Sequence, residues 1–265
     1  MRRGSMIWGI IILVAGVLFL LDNLGFLPVD AWKVVFPAAL IILGLWFLLG
    51  PSLVSKNLPT EEVSVPLDGT AEAEIKFRHG AGELSITSGV ITGQLLNGSF
   101  GGGVEHLVRR EGNRTRVKLR APSDFFWMMP FNQMGHGLKW DVRLSKEIAL
   151  KLDFKVGASD NHIDLSDLIV TDLRMETGAS KCEVILPAQA GFTRASIEAG
   201  AASIRIQIPQ GVAAHLKVET GLSGVKIDTT RFAQSGNVYE SPDYASAANK
   251  VEISIQAGVG SIEIV

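Results

Sequence analysis

Two uncharged stretches set the pattern of the N-terminal part of the chain. They cover residues 6–21 and 34–55, and apolar side chains lie on every side of each. A bilayer-spanning helix needs about 20 apolar residues, so the second stretch is long enough. The first reaches that length if it continues past Asp22 to Leu27. Residues 1–54 are therefore predicted to form a hairpin of two transmembrane helices.

Beyond a polar linker at residues 55–62, apolar and polar residues alternate on both sides of six glycines. The positions five and three before each glycine, and four and six after it, are all apolar except Asn161. Alternation with period two is typical of a β-strand with one buried face, so each glycine marks a corner between two strands. The corner glycines are Gly80, Gly157, Gly178, Gly200, Gly221 and Gly258.

The spacing of these glycines predicts the architecture. The four middle glycines follow one another at intervals of 21, 22 and 21 residues, and a period in this range indicates a stacked-repeat fold. One such coil cannot bury its apolar face, whereas stacked coils build a continuous core. We therefore predict an all-β domain over residues 63–265, a β-solenoid with coils of about 21 residues and insertions near 121–141 and 229–248.

Glycine suits such a corner for one of two reasons. It adopts a positive φ without steric cost, or it allows another backbone to approach closely where a Cβ would interfere. Both explanations remain open at the level of sequence.

Charge and composition narrow the function. The chain has a formal net charge of −2, which is too close to neutral for the phosphate contacts that dominate nucleic-acid binding. Its one cysteine, Cys182, can form neither an internal disulfide nor a cysteine-based zinc site. No catalytic fingerprint is present and the five histidines are scattered. We therefore expect no enzyme, no cofactor, no metal site and no nucleic-acid partner.

The charges around the predicted helices indicate the orientation in the membrane. Arg2 and Arg3 precede the first helix and Lys56 follows the second, whereas the connector carries two acids and one base. Because basic residues concentrate on the cytoplasmic side, the protein is predicted to cross the cell membrane twice. Both termini and the β domain are then cytoplasmic.

One segment outside the repeat frame is unusually rich in aromatic residues and methionine, FFWMMPFNQMGHG at residues 125–137. Such a cluster suits an adaptable contact with a partner or a membrane surface. It equally suits a cap over an open end of the solenoid, where the terminal coil needs cover. The candidate contact residues are Phe125, Phe126, Trp127, Met128, Met129 and Phe131.

These motifs resemble a known family. The hairpin GIIILVAGVLFLLDNLGFLPVDAWKVVFPAALIILGLWFLL resembles the LiaI/LiaF-like transmembrane region. The glycine motifs GAGELSI, KVGASDNHIDLSDL, ETGASKCEVILP, EAGAASIRIQIP, ETGLSGVKI and QAGVGSIEI resemble the toast-rack β domain of LiaF-like membrane proteins. The resemblance implies a role in the response to cell-envelope damage, in which LiaF-type proteins act as negative regulators of a membrane histidine kinase.

Two functions follow as expectations. The first is a non-enzymatic, membrane-anchored regulator in cell-envelope stress signalling, which contacts a membrane sensor such as a histidine kinase. The alternative is a structural scaffold that self-associates through its β-solenoid domain, because exposed strand edges can pair with another chain. In either case the lipid bilayer is the expected environment of the N-terminal hairpin.

Overall fold

The computed structural model describes residues 36, 60–122 and 138–265. Apart from residue 36, the predicted transmembrane hairpin lies outside the described residues, and so do the six candidate contact residues between Phe125 and Phe131. Within the described part of the chain, no helix is long and apolar enough to cross a membrane. The chain divides into two compact units, Met1–Lys56 and Asn57–Val265, and the second unit is described here.

The second unit is an all-β domain with a large, mostly parallel sheet. The six longest strands carry the six corner glycines and pair with one another in parallel. The strands are β1 (Thr60–Pro66), β2 (Glu72–Ser88), β3 (Gln94–Gly101), β4 (Glu105–Glu111), β5 (Arg114–Arg120), β6 (Lys139–Leu144), β7 (Ala149–Asp164), β8 (Ile169–Ile185), β9 (Phe192–Gln207), β10 (Ala213–Ile227), β11 (Ala233–Ser235), β12 (Val238–Glu240) and β13 (Lys250–Ile264).

Each long strand must turn back at its middle. A straight strand of the length of β7, which has 16 residues, would extend about 53 Å. Yet β8 begins again beside the start of β7, with Ile169 opposite Ala149. The four residues between β7 and β8 bridge at most about 18 Å. Each strand therefore has two arms joined at its glycine, and one bent strand with its return connection makes one coil.

The core lies between the two arms of every coil. The residues five and three positions before each glycine are at most 8% exposed, and Phe77 stacks on Phe154 with ring centroids 4.8 Å apart. After each glycine, the inward-facing residues are buried in every coil except that of β10. The predicted β-solenoid, built from apolar residues at alternate positions around the glycines, is thus confirmed for the parallel stack.

The order of the coils in space differs from their order in the sequence. The stack runs β2, β7, β8, β9, β13, β10, so that the last strand of the chain lies between β9 and β10. The insertion near residues 229–248 makes this possible because it carries the chain back past β10. Within it, the Arg231 guanidinium donates to the carbonyl oxygens of Ile208, Pro209 and Val212 at 2.6, 2.7 and 3.0 Å. These bonds fix the connection between β9 and β10 while β13 occupies the space between them.

The irregular part of the sequence before β7 contains one further coil in two pieces. Strand β5 pairs in parallel with the first arm of β2, and β6 pairs in parallel with its second arm. Val117, Leu119, Trp140 and Val142 occupy the four inward positions of this split coil and are buried. In the sequence, residues 121–138 separate the two strands of this coil, whereas the two arms of the other coils meet at one glycine.

Strands β1, β3 and β4 close this end of the stack. On the side of the second arms the order is β6, β3, β1, all antiparallel, and on the side of the first arms β4 pairs antiparallel with β5. A repeat frame centred on Gly101 would place Glu105 in the core. Instead Gly101 ends β3, and Glu105 is an exposed residue at the start of β4.

Candidate functional site

The six corner glycines form a single row across the stack. A Cβ on Gly157 would overlap the carbonyl oxygen of Gly80, and one on Gly178 would lie 3.0 Å from the oxygen of Gly157. The same contact recurs at 3.3 Å for Gly200 over Gly178 and at 2.7 Å for Gly258 over Gly200. It recurs at 2.9 Å for Gly221 over Gly258, and none of the six has a positive φ. The sequence left open whether glycine is needed at these corners for a positive φ or for close backbone approach. The geometry fits close backbone approach.

A shallow groove of about 810 Å³ follows this row. Its lining includes Glu176, Glu198 and Glu219 together with Lys155, Gln256 and the corner residues of five coils. Lys155 Nζ lies 2.6 Å from Glu176 Oε2, so the acidic character is partly neutralised. Across residues 60–122 and 138–265, no group of His, Cys, Asp and Glu side chains is arranged to hold a metal ion.

A small polar cluster fills the core beneath one corner. Asn161 is buried and its Nδ2 donates to the carbonyl oxygen of Lys181 at 3.3 Å and to Cys182 Sγ at 3.2 Å. Ser159 Oγ donates to Asn161 Oδ1 at 3.0 Å. The one polar residue in the apolar repeat positions is therefore a hydrogen-bonded corner residue, and Cys182 is a buried packing residue at 1% exposure.

The second arm of β10 is an open strand edge. Strand β12 covers only the first arm, opposite His215–Lys217. Beyond the corner, Leu222 is 83% exposed and Val225 is 38% exposed, whereas Ile262, the partner of Val225 in β13, is 1% exposed. This contradicts the expectation that Val225 is a core residue. The reason is that no strand lies on its outer side within the described residues.

The sequence pattern carries no signal for this edge. The motif ETGLSGVKI has the same alternation as the buried coils, and only the position of β13 inside the stack leaves β10 at its end. The apolar edge formed by Leu222 and Val225, with Val259 of β13 beside it at 53% exposure, is called the open edge below.

At the other end of the stack, two buried polar side chains have no hydrogen-bond partner among residues 60–122 and 138–265. Neither ring nitrogen of His79 nor Trp140 Nε1 is bonded, and the two rings lie 4.8 Å apart between centroids. His79 is 2% exposed, and burial lowers its pKa to about 4. The imidazole is therefore neutral near pH 7 and packs as an aromatic side chain.

The described flanks of the aromatic segment lie at the corner row. On one side Ala121 N donates to the carbonyl oxygen of Arg78 at 3.1 Å, and on the other Glu83 N donates to that of Leu138 at 2.9 Å. Both flanks thus lie beside the Gly80 corner of β2 rather than on β1 or β4, the outermost strands of that end.

Comparison with known proteins agrees with this architecture, a parallel β-solenoid of bent strands with glycine corners. The family model described as the N-terminal domain of toast_rack, DUF2154, matches residues 54–207. Because the match covers more than half of the chain, the protein belongs to this toast-rack family. The model of the LiaI-LiaF-like transmembrane region matches residues 6–48, so the resemblance found in the sequence is confirmed and the N-terminal part is membrane-associated.

Solved structures share the fold of the β domain. A candidate cell adhesion protein from Clostridium sporogenes has a TM-score of 0.71 at 21% identity, covering 78% of this chain and 98% of that chain. At this identity the likeness shows the fold alone. A candidate adhesin from Bacteroides fragilis has a TM-score of only 0.27 at 12% identity, covering 80% and 98%, and carries no argument. The search of curated proteins found no significant match.

Proposed function

We propose that this protein is a non-enzymatic, membrane-anchored regulator in cell-envelope stress signalling. The N-terminal hairpin crosses the cell membrane twice, and both termini and the β domain are cytoplasmic. The β domain contacts a membrane sensor, for which a membrane histidine kinase is the leading candidate. The match to the LiaI-LiaF-like transmembrane region supports the membrane anchor. The corner glycines serve the fold, because they allow the coils to stack closely.

The observation that carries the proposal is the open edge of β10. The backbone groups along the outer side of its second arm pair with no strand of the described chain, and apolar side chains accompany them. Such an edge accepts an added strand from a partner, whose main chain supplies hydrogen bonds while alternate side chains enter apolar positions. A strand added here would complete the burial of Val225, as β13 does for the equivalent Ile204 of β9.

We assign a second contact to the aromatic segment, with Phe125, Phe126, Trp127, Met128, Met129 and Phe131 as its apolar side chains. Support comes from its described flanks, because Ala121 and Leu138 hydrogen-bond β2 on either side of the Gly80 corner.

The test is co-purification of the full chain from membranes with and without a blocked edge. Replacing Leu222 and Val225 together by lysine places charges on the edge, which natural proteins use to prevent strand addition. The matched control is Ile91→Lys, because Ile91 is 73% exposed in a turn away from the edge. We expect a sensor protein as a stoichiometric companion of the wild type and of the control, and its loss from the double variant.

The alternative is a scaffold in which the occupant of the open edge is a second copy of this chain. In that case the wild type purifies as an oligomer without another protein, and the double lysine variant becomes monomeric. A companion that is retained by the double variant would overturn the edge as the contact surface. The orientation is tested by a reporter at the C-terminus that is active only in the cytoplasm, and an inactive reporter would overturn the cytoplasmic placement.

A further inference from the structure

A basic concave surface lies on the outer face of the first arms, at the end of the stack where the chain enters the domain. It has a volume of about 390 Å³ and is lined by residues of β2, β4 and β5. Five of its seven lining residues are cations and none is an acid. We call this surface the basic patch; its lining residues are Lys76, Arg78, Leu107, Arg109, Arg116, Val117 and Lys118.

The cations of the basic patch differ in whether a nearby carboxylate neutralises their charge. Arg78 is held by both oxygens of Asp153 at 3.0 and 2.9 Å, and Lys76 and Arg116 both contact Glu74. Arg109 and Lys118, in contrast, form no ion pair with any carboxylate of the described chain. Both side chains are exposed. These two cations are the uncompensated charge of the patch.

The neighbouring groove on the same outer face has a different balance. It is lined by four cations, including Arg174 and Arg194, and by three acids, Glu74, Asp153 and Asp172. The basic character is therefore confined to the β4 and β5 end and is not a general property of this face. Since the whole chain has a net charge of −2, the patch is a local excess of positive charge.

An apolar side chain stands among the cations. Leu107 is 49% exposed on β4, opposite Lys118 in the register of the two strands. A soluble anion gains nothing from an exposed leucine, whereas an interfacial surface combines anionic headgroups with a nearby apolar layer. This combination favours a lipid surface over a free phosphate ion.

The linker limits the distance between the start of the β domain and the matched transmembrane segment. The transmembrane match ends at residue 48 and β1 begins at Thr60, so the intervening 11 residues span at most about 40 Å. Near the start of β1, Glu61 Oε2 accepts a hydrogen bond from Val104 N at 3.0 Å. Strand β4 begins at Glu105, the residue after Val104. Tethering at this distance raises the effective concentration of headgroups at the patch.

We propose that the basic patch docks the β domain onto the phosphodiester headgroups of an anionic bilayer, with Arg109 and Lys118 as the main contacts and Leu107 entering the interface. The occupant is the membrane in which the chain itself is anchored. This docking is independent of the open edge, which lies at the opposite end of the stack.

The experiment uses the full chain in vesicles with a fluorescent probe at position 107. Cys182 is the only cysteine and is buried, so Leu107→Cys can be labelled selectively with an environment-sensitive dye, with unsubstituted chain as the labelling control. We expect a blue-shifted emission in phosphatidylglycerol-rich vesicles, no shift in phosphatidylcholine vesicles, and loss of the shift at high salt because exposed charges are screened.

The decisive variant is Arg109→Gln with Lys118→Gln, and its matched control is Arg174→Gln with Arg194→Gln. The first pair should lower the ratio of docked to free domain about 30-fold, as expected for two basic residues at an anionic surface, whereas the control pair should not. Equal emission in both lipids, or a shift that survives the first pair, would overturn the proposal. Loss of the shift on adding inorganic phosphate at constant ionic strength would also overturn it, since the patch would then be a site for a free anion.

Discussion

The two ends of the coil stack are closed to different degrees. At the β2 end both arms are covered, the first by β5 and β4 and the second by β6, β3 and β1. At the β10 end, within the described part of the chain, only the first arm has a strand on its outer side, β12. The same inward positions are therefore buried at one end and partly exposed at the other. Burial of the inward positions in this fold therefore depends on the adjacent coil and not on the coil's own sequence.

The largest expected effect comes from replacing isoleucine at the same coil position in an interior strand, β9, and in the edge strand, β10. Ile206 in β9 is fully buried, and Ile227 is its partly exposed equivalent in β10. Ile206→Ala should lower the free energy of unfolding by about 4 kcal/mol, because it leaves a cavity between packed coils. Ile227→Ala should cost about 1 kcal/mol, because its site is already open. Urea unfolding measures both, and equal losses would show that the β10 arm is as well packed as the interior.

The glycine row provides a second comparison of interior and edge. A Cβ on Gly258 would lie 2.7 Å from the carbonyl oxygen of Gly200, whereas a Cβ on Gly224, near the open edge, meets no atom within 4 Å. Gly258→Ala should therefore destabilise the domain by about 3 kcal/mol through forced separation of two backbones. Gly224→Ala should change stability by less than about 0.5 kcal/mol. Thermal unfolding distinguishes them, and a neutral Gly258→Ala would contradict the close-approach explanation.

The sequence predicts the coil itself well, because alternation and the glycine interval are local properties. It does not predict the coil order. The interval from Gly200 to Gly221 is 21 residues, the same as between coils that are direct neighbours, yet β13 lies between these two strands. Nothing in the sequence distinguishes a connection that joins adjacent coils from one that spans an inserted strand. The open edge depends on this order and was therefore missed as well.

The split coil was missed for a different reason. Its inward residues Val117, Leu119, Trp140 and Val142 follow the repeat pattern, but residues 121–138 separate the two arms in the sequence, so the four positions do not flank a single glycine. A frame centred on glycines therefore finds no corner there. The basic patch depends on this coil, because β5 supplies Arg116 and Lys118 and positions β4. Unless the split coil is recognised in the sequence, these cations appear unrelated to one another.

The closed end should also respond to pH through His79. Because burial lowers the pKa of His79 to about 4 from its ordinary value of about 6.5, the unfolded chain binds a proton more readily between these values. Stability is therefore full above pH 6.5 and falls as the pH drops towards 4. Between pH 7 and pH 5 the loss from this group is about 2 kcal/mol. Urea unfolding at the two pH values measures it.

The control for this prediction is His79→Leu, which removes the titrating group and the two unbonded ring nitrogens at similar volume. The variant should be at least as stable as the wild type at pH 7, because no hydrogen bond is lost. Its stability should decline less between pH 7 and pH 5. An identical decline in both proteins would show that His79 is protonated in the fold or that another group dominates.

The smallest expected effect concerns the aromatic segment, whose described flanks lie beside the Gly80 corner. If Phe125 and Trp127 contact a partner, replacing both by serine should change the free energy of unfolding of the isolated protein by less than about 0.5 kcal/mol. The same double variant should lose its membrane companion in co-purification. If the segment instead caps the stack, the substitution should cost several kcal/mol, as removal of buried aromatic side chains does. That outcome would assign the segment to the closure of the β2 end and leave the open edge as the contact surface of the domain.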